Sequence, residues 1–218
     1  MEPRGLHVPA SGDTRQRLLS ELLNCKTGLT IDELAARLGI SRSAVKQHLS
    51  GLEGNGYVKR NAPRKTGGRP GSVYVLTDAG VGSFPKQYSW FSRVLFESLR
   101  AKIGADQLAQ YMFDLGVEMS AAAIPRLVGK PRPERVAEIV KIMNETGFVA
   151  YEVPPEKGDA LLRIECKNCV YHDLSKEFTE VCRFDIGFIS GLMGTEVEHQ
   201  ECMQRGGQCC RFRFKPLA

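Results

Sequence analysis

The stretch TIDELAARLGISRSAVKQHLSGLE, running from Thr30 to Glu53, limits what this chain can fold into more than any other. Thr30 followed three residues later by Glu33 forms a capping box, in which hydroxyl and carboxylate each satisfy a backbone N–H that the helix leaves open. Ile31, Leu34, Ala35 and Leu38 then recur at helical spacing, and Gly39 supplies the left-handed residue that ends the helix. Ser41 caps a second helix almost at once. Ala44, Val45, Leu49 and Leu52 take its inner face, which leaves Arg42, Ser43, Lys46, Gln47 and Ser50 outside. Two short helices across a Gly-containing turn make a helix-turn-helix, whose second helix fits the major groove of B-DNA.

The flanks agree. Leu18, Leu19, Leu22 and Leu23 predict a preceding helix over Thr14–Leu23, capped by Asp13 or Thr14, after a mobile arm at 1–13. YVKRNAPRKTGGRPGSVYVLT predicts strands near Tyr57–Asn61 and Ser72–Leu76 around a turn-rich tip. Lys59, Arg60, Arg64, Lys65 and Arg69 fall here with no acid between them. Alone, such a run reads as a solvated hairpin; after this helix pair it reads as a wing that grips phosphates. Residues 1–82 hold 12 Lys/Arg and 7 Asp/Glu, a net of +5, and the remaining residues hold 18 of each, so the whole basic excess is N-terminal. The expected DNA contacts are Arg42, Ser43, Lys46, Gln47 and Ser50 on the helix and Arg64, Lys65 and Arg69 on the wing.

Beyond the wing, apolar spacing predicts helices over Phe84–Ile103, Asp106–Ser120 and Pro133–Glu145. The first is rich in aromatics, as ordinary core or as a dimer helix for a two-fold operator. After Gly147, FVAYEV and ALLRIEC alternate like strands around PPEKGD; a helix over Ser175–Met193, a strand around Val197–Met203, a Gly206-Gly207 turn and a final strand CRFRF follow. The expected class is α+β: an arm at 1–13, a winged helix-turn-helix domain at 14–82, linking and dimerisation helices at 83–147, and a small cysteine-rich α+β sensor module at 148–218.

A chain of 218 residues with 42% hydrophobic and 25% charged content matches an ordinary globular protein. No apolar run is long enough to span a membrane and the N-terminus shows no signal-type apolar core, so a cytoplasmic location is the expectation. There clustered thiols bind metal or sense redox state more often than they form structural disulfides. Six of the seven cysteines, Cys166, Cys169, Cys182, Cys202, Cys209 and Cys210, fall in one stretch, while Cys25 stands alone and reads as a small buried hydrophobe. Zinc prefers two close pairs of ligands, and only Cys166-x2-Cys169 offers one. An iron–sulfur cluster takes four thiolates from dispersed elements. His172 and His199 read as ordinary polar residues. No GxSxG, HExxH or Walker-type sequence occurs, and no enzyme activity is expected.

The winged helix-turn-helix followed by CVYHDLSKEFTEVCRFD and a closing GGQCCRFRF resembles the SufR family, the iron–sulfur-sensing transcriptional regulators of the suf operon. The resemblance spans nearly the whole chain. The wing sequence GGRPGSVYVLT is shared by many regulators; the spacing Cys169-x12-Cys182-x27-Cys210 is the more specific signal. It implies a homodimer with one [4Fe–4S] cluster per subunit, bound to operator DNA and repressing cluster-assembly genes until the cluster is lost. It also implies Cys169, Cys182 and Cys210 as ligands. Some family members place a His near the position of Glu196. Cys202 is the choice for the fourth ligand here because thiolate suits such clusters best, with Glu196, His199 and Cys166 as alternatives. Val170 stands where the family often has Pro. Competing readings are a regulator whose C-terminal module binds zinc or a small molecule, a thiol-redox switch at Cys166/Cys169 or Cys209/Cys210, and an enzyme with an appended DNA-binding domain.

Overall fold

The computed structural model describes residues 14–64, 71–154 and 161–216. The expected arm at 1–13 and most of the PPEKGD turn lie outside them. The chain divides into two compact units, Met1–Lys86 and Gln87–Ala218.

The first unit runs α1 (Thr14–Asn24), β1 (Leu29–Thr30), α2 (Ile31–Leu38), α3 (Arg42–Gly54), β2 (Val58–Arg64), β3 (Gly71–Leu76) and α4 (Asp78–Gly82). The caps form as the sequence requires. Thr30 Oγ1 accepts from Glu33 N at 3.3 Å, Glu33 Oε2 accepts from Thr30 N at 2.7 Å, and Ser41 Oγ accepts from Ala44 N at 3.2 Å. Leu18, Leu22, Leu34, Val45, Leu49 and Leu52 close a core over which the three helices pack. Burying each such side chain contributes about 1.5–3 kcal/mol, so the pattern of leucines decides the packing. The strands form an antiparallel sheet in the order β1-β3-β2. β1 is too short for its alternation to be read, and pairing Leu29 with Tyr74 brings it into the sheet. Gly28 makes that possible: its φ is 84°, and a Cβ there would lie 2.5 Å from Val73 Cγ1 and 2.6 Å from the Tyr74 carbonyl oxygen.

The second unit opens with α5 (Tyr88–Ile103) and α6 (Ala105–Ser120), a 3-10 turn at Ala121–Leu127, and α7 (Arg132–Glu145). Next come β4 (Ala150–Val153), β5 (Arg163–Cys166), α8 (His172–Ser175), a 3-10 turn at Thr179–Val181, and α9 (Cys182–Met193). β6 (Val197–Glu201), a 3-10 turn at Met203–Arg205 and β7 (Cys210–Phe214) complete it. The strands pair antiparallel in the order β4-β5-β7-β6. Ile139 and Ile142 of α7, Ile189 and Leu192 of α9, and Ile164, Phe212 and Phe214 of the sheet share one core.

Two predicted helices change shape. The helix predicted from Phe84 starts at Tyr88, because Pro85 favours extended backbone before it. The helix predicted over Ser175–Met193 breaks into α8, a 3-10 turn and α9. Phe178 leaves helical geometry (φ −127°, ψ 83°) to pack its ring 5.6 Å from that of Phe96, so tertiary packing overrides local propensity. Cys182 thereby becomes the first residue of α9. α9 crosses α6 backbone to backbone: a Cβ on Gly187 would fall 2.0 Å from the Phe113 carbonyl oxygen, and one on Gly116 2.2 Å from that of Phe184.

Candidate functional site

The folded second unit collects soft donors from four places. Cys169 lies in the loop after β5, Cys182 opens α9, His199 sits on β6 with Cys202 just beyond it, and Cys210 opens β7. The donor atoms of His199, Cys202 and Cys210 all lie within 4.8 Å of one another. Cys182 joins His199 and Cys202 in lining a cavity of about 510 Å³. Cys169 lies in the neighbourhood of both Cys182 and Cys210, and its Sγ is 3.5 Å from Ser175 Oγ. Of the four cysteines expected as ligands, Cys202 and Cys210 fall in one donor group with His199, Cys182 lines the adjoining cavity, and Cys169 lies on the neighbouring loop.

The remaining candidates sort by position. Cys166 is buried and lies opposite Cys210 in the β5–β7 register. Cys209 is buried near Glu165 and Glu201, whose charges act on it. Glu196 spends its carboxylate on Lys215 Nζ at 2.7 Å. His172 borders a separate cavity of about 270 Å³ with Tyr88 and Asp173. Cys25, in the first unit, donates its thiol to the Gly28 carbonyl at 3.4 Å, as a structural residue would.

The donor chemistry fits a metal. His199 stacks on Phe212 at 4.7 Å, and its Nε2 is buried with no hydrogen-bond partner among the described residues. A buried nitrogen left so costs about 1–3 kcal/mol, a cost that a bound metal removes. Burial first, and then the Arg205 charge, pushes the His199 pKa down to about 4, so at neutral pH the ring is uncharged and keeps a lone pair. Burial, then the other thiols and Asp185, pushes Cys182 well up; burial likewise pushes Cys210 up to about 12. Metal-free, these sulfurs hold their protons, and a cation that binds must displace them. Asp185, one turn into α9, is pushed up to about 7 by burial.

His199, expected as an ordinary polar residue or an alternative ligand, lies in one donor group with Cys202 and Cys210. Its role depends on the stacking partner and on the β6–β7 register, which pairs it with Phe212. The spacing His199-x2-Cys202 is the signal that was available, and it carries little weight until the register turns both residues toward Cys210.

The DNA-reading side is simpler. Arg42, Ser43, Lys46, Gln47 and Ser50 are all exposed on α3, while Val45, Leu49 and Leu52 are buried. Arg42 Nε pairs with Asp32 at 2.7 Å, an exposed ion pair. Arg64 lies at the end of β2; Lys65 and Arg69 lie outside the described residues.

The family model for winged helix-turn-helix DNA-binding domains matches residues 12–59. No curated protein matches the chain. Among solved structures, the chain is similar to a cysteine-to-serine mutant of ZitR from Lactococcus lactis at 20% identity, with 46% of this chain and 71% of that one covered and a TM-score of 0.30. It is similar to an alanine-to-valine mutant of MepR from S. aureus at 17% identity, covering 62% and 78%, with a TM-score of 0.29. It is also similar to a trafficking protein particle complex subunit 3 from Naegleria fowleri, covalently bound to palmitic acid, at 16% identity, covering 58% and 91%, with a TM-score of 0.40. No helix among the described residues is long and apolar enough to cross a membrane. The capped helix pair, the hairpin behind it and the family match agree: the chain carries an N-terminal winged helix-turn-helix domain of the DNA-binding kind.

Proposed function

We propose that the chain is a transcriptional regulator whose second unit senses a metal–thiolate centre, a [4Fe–4S] cluster on the resemblance of its cysteine spacing to SufR, and that the loaded form represses cluster-assembly genes. The observation that carries this is the convergence of Cys169, Cys182, Cys202, Cys210 and the unpartnered His199 nitrogen on one region. Cys169, Cys182, Cys202 and Cys210 would hold the cluster, which when bound supplies links between elements that the chain otherwise leaves separate.

The chain's own residues supply the transmission. Cys169 and Cys182 bracket the segment that carries α8 and the following 3-10 turn. On that segment Glu177 takes Arg93 of α5 at 3.0 Å, Glu180 takes Arg100 at 3.0 Å, and Phe178 takes Phe96. Tying the segment at both ends fixes the face on which α5 rests, and α5 follows the DNA-binding unit directly in sequence. The opposite face of α5 supports a homodimer. No residue of this helix is buried, and Tyr88, Trp90, Phe91, Val94, Leu95 and Leu99 stand exposed. At side-chain areas of 150–250 Å² for aromatics, that is roughly 600 Å² of apolar surface per copy, close to the ~800 Å² per partner of a standard interface. Two recognition helices held at one spacing would read half-sites one helical turn apart.

Anaerobic purification with iron and sulfide analysis tests the reading, together with binding to duplexes selected from a random pool. Cys182→Ser is expected to lose iron, sulfide and visible colour and to bind those duplexes at least about tenfold more weakly, with the winged domain still folded by circular dichroism. Unchanged DNA affinity in that variant refutes the coupling. A second reading, one zinc ion, is favoured by the 4.8 Å grouping of His199, Cys202 and Cys210. Bonds of about 2.3 Å at tetrahedral angles place such ligands about 3.8 Å apart. Zinc without sulfide in a colourless protein decides for it.

A further inference from the structure

The cavity beside the thiols has an unusual charge. Besides Cys182, His199 and Cys202, its lining includes Arg183 and Arg205, and no described carboxylate lines it. Neither guanidinium makes an ion pair among the described residues. Arg183 lies over the Phe113 ring at 5.0 Å, and Arg205 donates from Nη2 to the His199 carbonyl at 3.4 Å. Elsewhere in the unit Arg93, Arg100, Arg126, Arg211 and Arg213 face carboxylates, while Arg132 and Arg135 donate to main-chain oxygens away from this cavity. Two arginines held over an aromatic face and a main-chain oxygen, on a wall shared with metal donors, are positioned for an anion that the protein part does not supply.

We infer that Arg183 and Arg205 are the counter-charges of the metal centre, positioning residues that select a centre of net negative charge. The inference rests on the reading that these donors hold a metal. Thiolate ligands bind deprotonated, so four thiolates around a doubly charged core leave two negative charges, while three thiolates and an imidazole around a divalent ion leave one. In a partly buried site that charge is costly unless opposed, and two guanidiniums oppose the larger one in full. Arginine suits the task because it stays protonated and is weakly hydrated. The pair therefore favours the four-thiolate centre over the mixed one, and makes removal of an arginine felt at the metal rather than in the fold.

The test uses the metal-free full chain, titrated anaerobically with Co(II) against a competing chelator and followed by thiolate-to-metal charge-transfer absorption. Each of Arg183→Gln and Arg205→Gln is expected to weaken Co(II) binding about tenfold and the double variant about a hundredfold. The double Lys variant stays within about threefold of wild type, and the Gln defect shrinks at high salt. In iron-loaded protein the double Gln variant shows a lower midpoint potential, because lost positive charge disfavours the added electron. Wild-type affinity in the double Gln variant overturns the inference, and so does a Lys variant as weak as the Gln one, which would mean a role of shape alone. If wild type takes cobalt but no iron and sulfide, the iron–sulfur reading falls and the cobalt series still decides the role of the arginines. Uptake of neither metal removes both.

Discussion

Lys46 and Gln47 stand side by side on the exposed face of α3, yet their expected roles differ. A lysine ammonium is a point charge suited to phosphate, whereas a glutamine amide can pair with the edge of adenine. Lys46→Ala should weaken binding to all duplexes alike and lower the salt slope by about one, whereas Gln47→Ala should leave the slope and relax the preferred sequence; fluorescence titration at several salt concentrations separates them. Equal losses across sequences for both variants would assign Gln47 to the backbone as well. These residues were legible because they follow from a local pattern: once Ser41 caps the helix and Val45, Leu49 and Leu52 turn inward, the outer face is fixed. The grouping of His199 with Cys202 and Cys210 was not legible, because it depends on the register that lays β6 beside β7 and sets His199 against Phe212.

At the scale of elements, the same contrast holds between α2 and the stretch before α9. Capping box, apolar stripe and Gly39 fix α2 from eight residues of sequence and their two neighbours. The break at Phe178 comes from a partner on α5, far away in the chain, and spacing alone runs a helix straight through it. The glycines of α6 and α9 also read as mere weak points in a helix until the crossing is seen. Gly187→Ala should destabilise the second unit by about 3 kcal/mol, because the new methyl meets Phe113 backbone that cannot swing aside. Gly54→Ala in α3, where a Cβ would meet nothing within 4 Å, should cost nothing. Urea unfolding of the two variants checks the pair, and a mild Gly187→Ala would show that the helices can separate.

On the scale of the whole molecule, reading two half-sites requires two copies. Phe91→Glu with Leu95→Glu places charge in the middle of the exposed face of α5. Sedimentation should then report a monomer, and affinity for a duplex with two half-sites should fall about a hundredfold or more, while single half-site binding stays as it was. A double variant that still sediments as a dimer moves the interface elsewhere. The crossing of α6 and α9 bears on the same machine. Because backbone meets backbone at Gly116 and Gly187, no side chain is present there to change rotamer and let α9 slide. Cys182 opens the helix that this crossing holds in place. On the proposed reading, loss of the centre would release the Cys169 loop from α9, and the displacement would reach α5 through the Glu177–Arg93 and Glu180–Arg100 contacts.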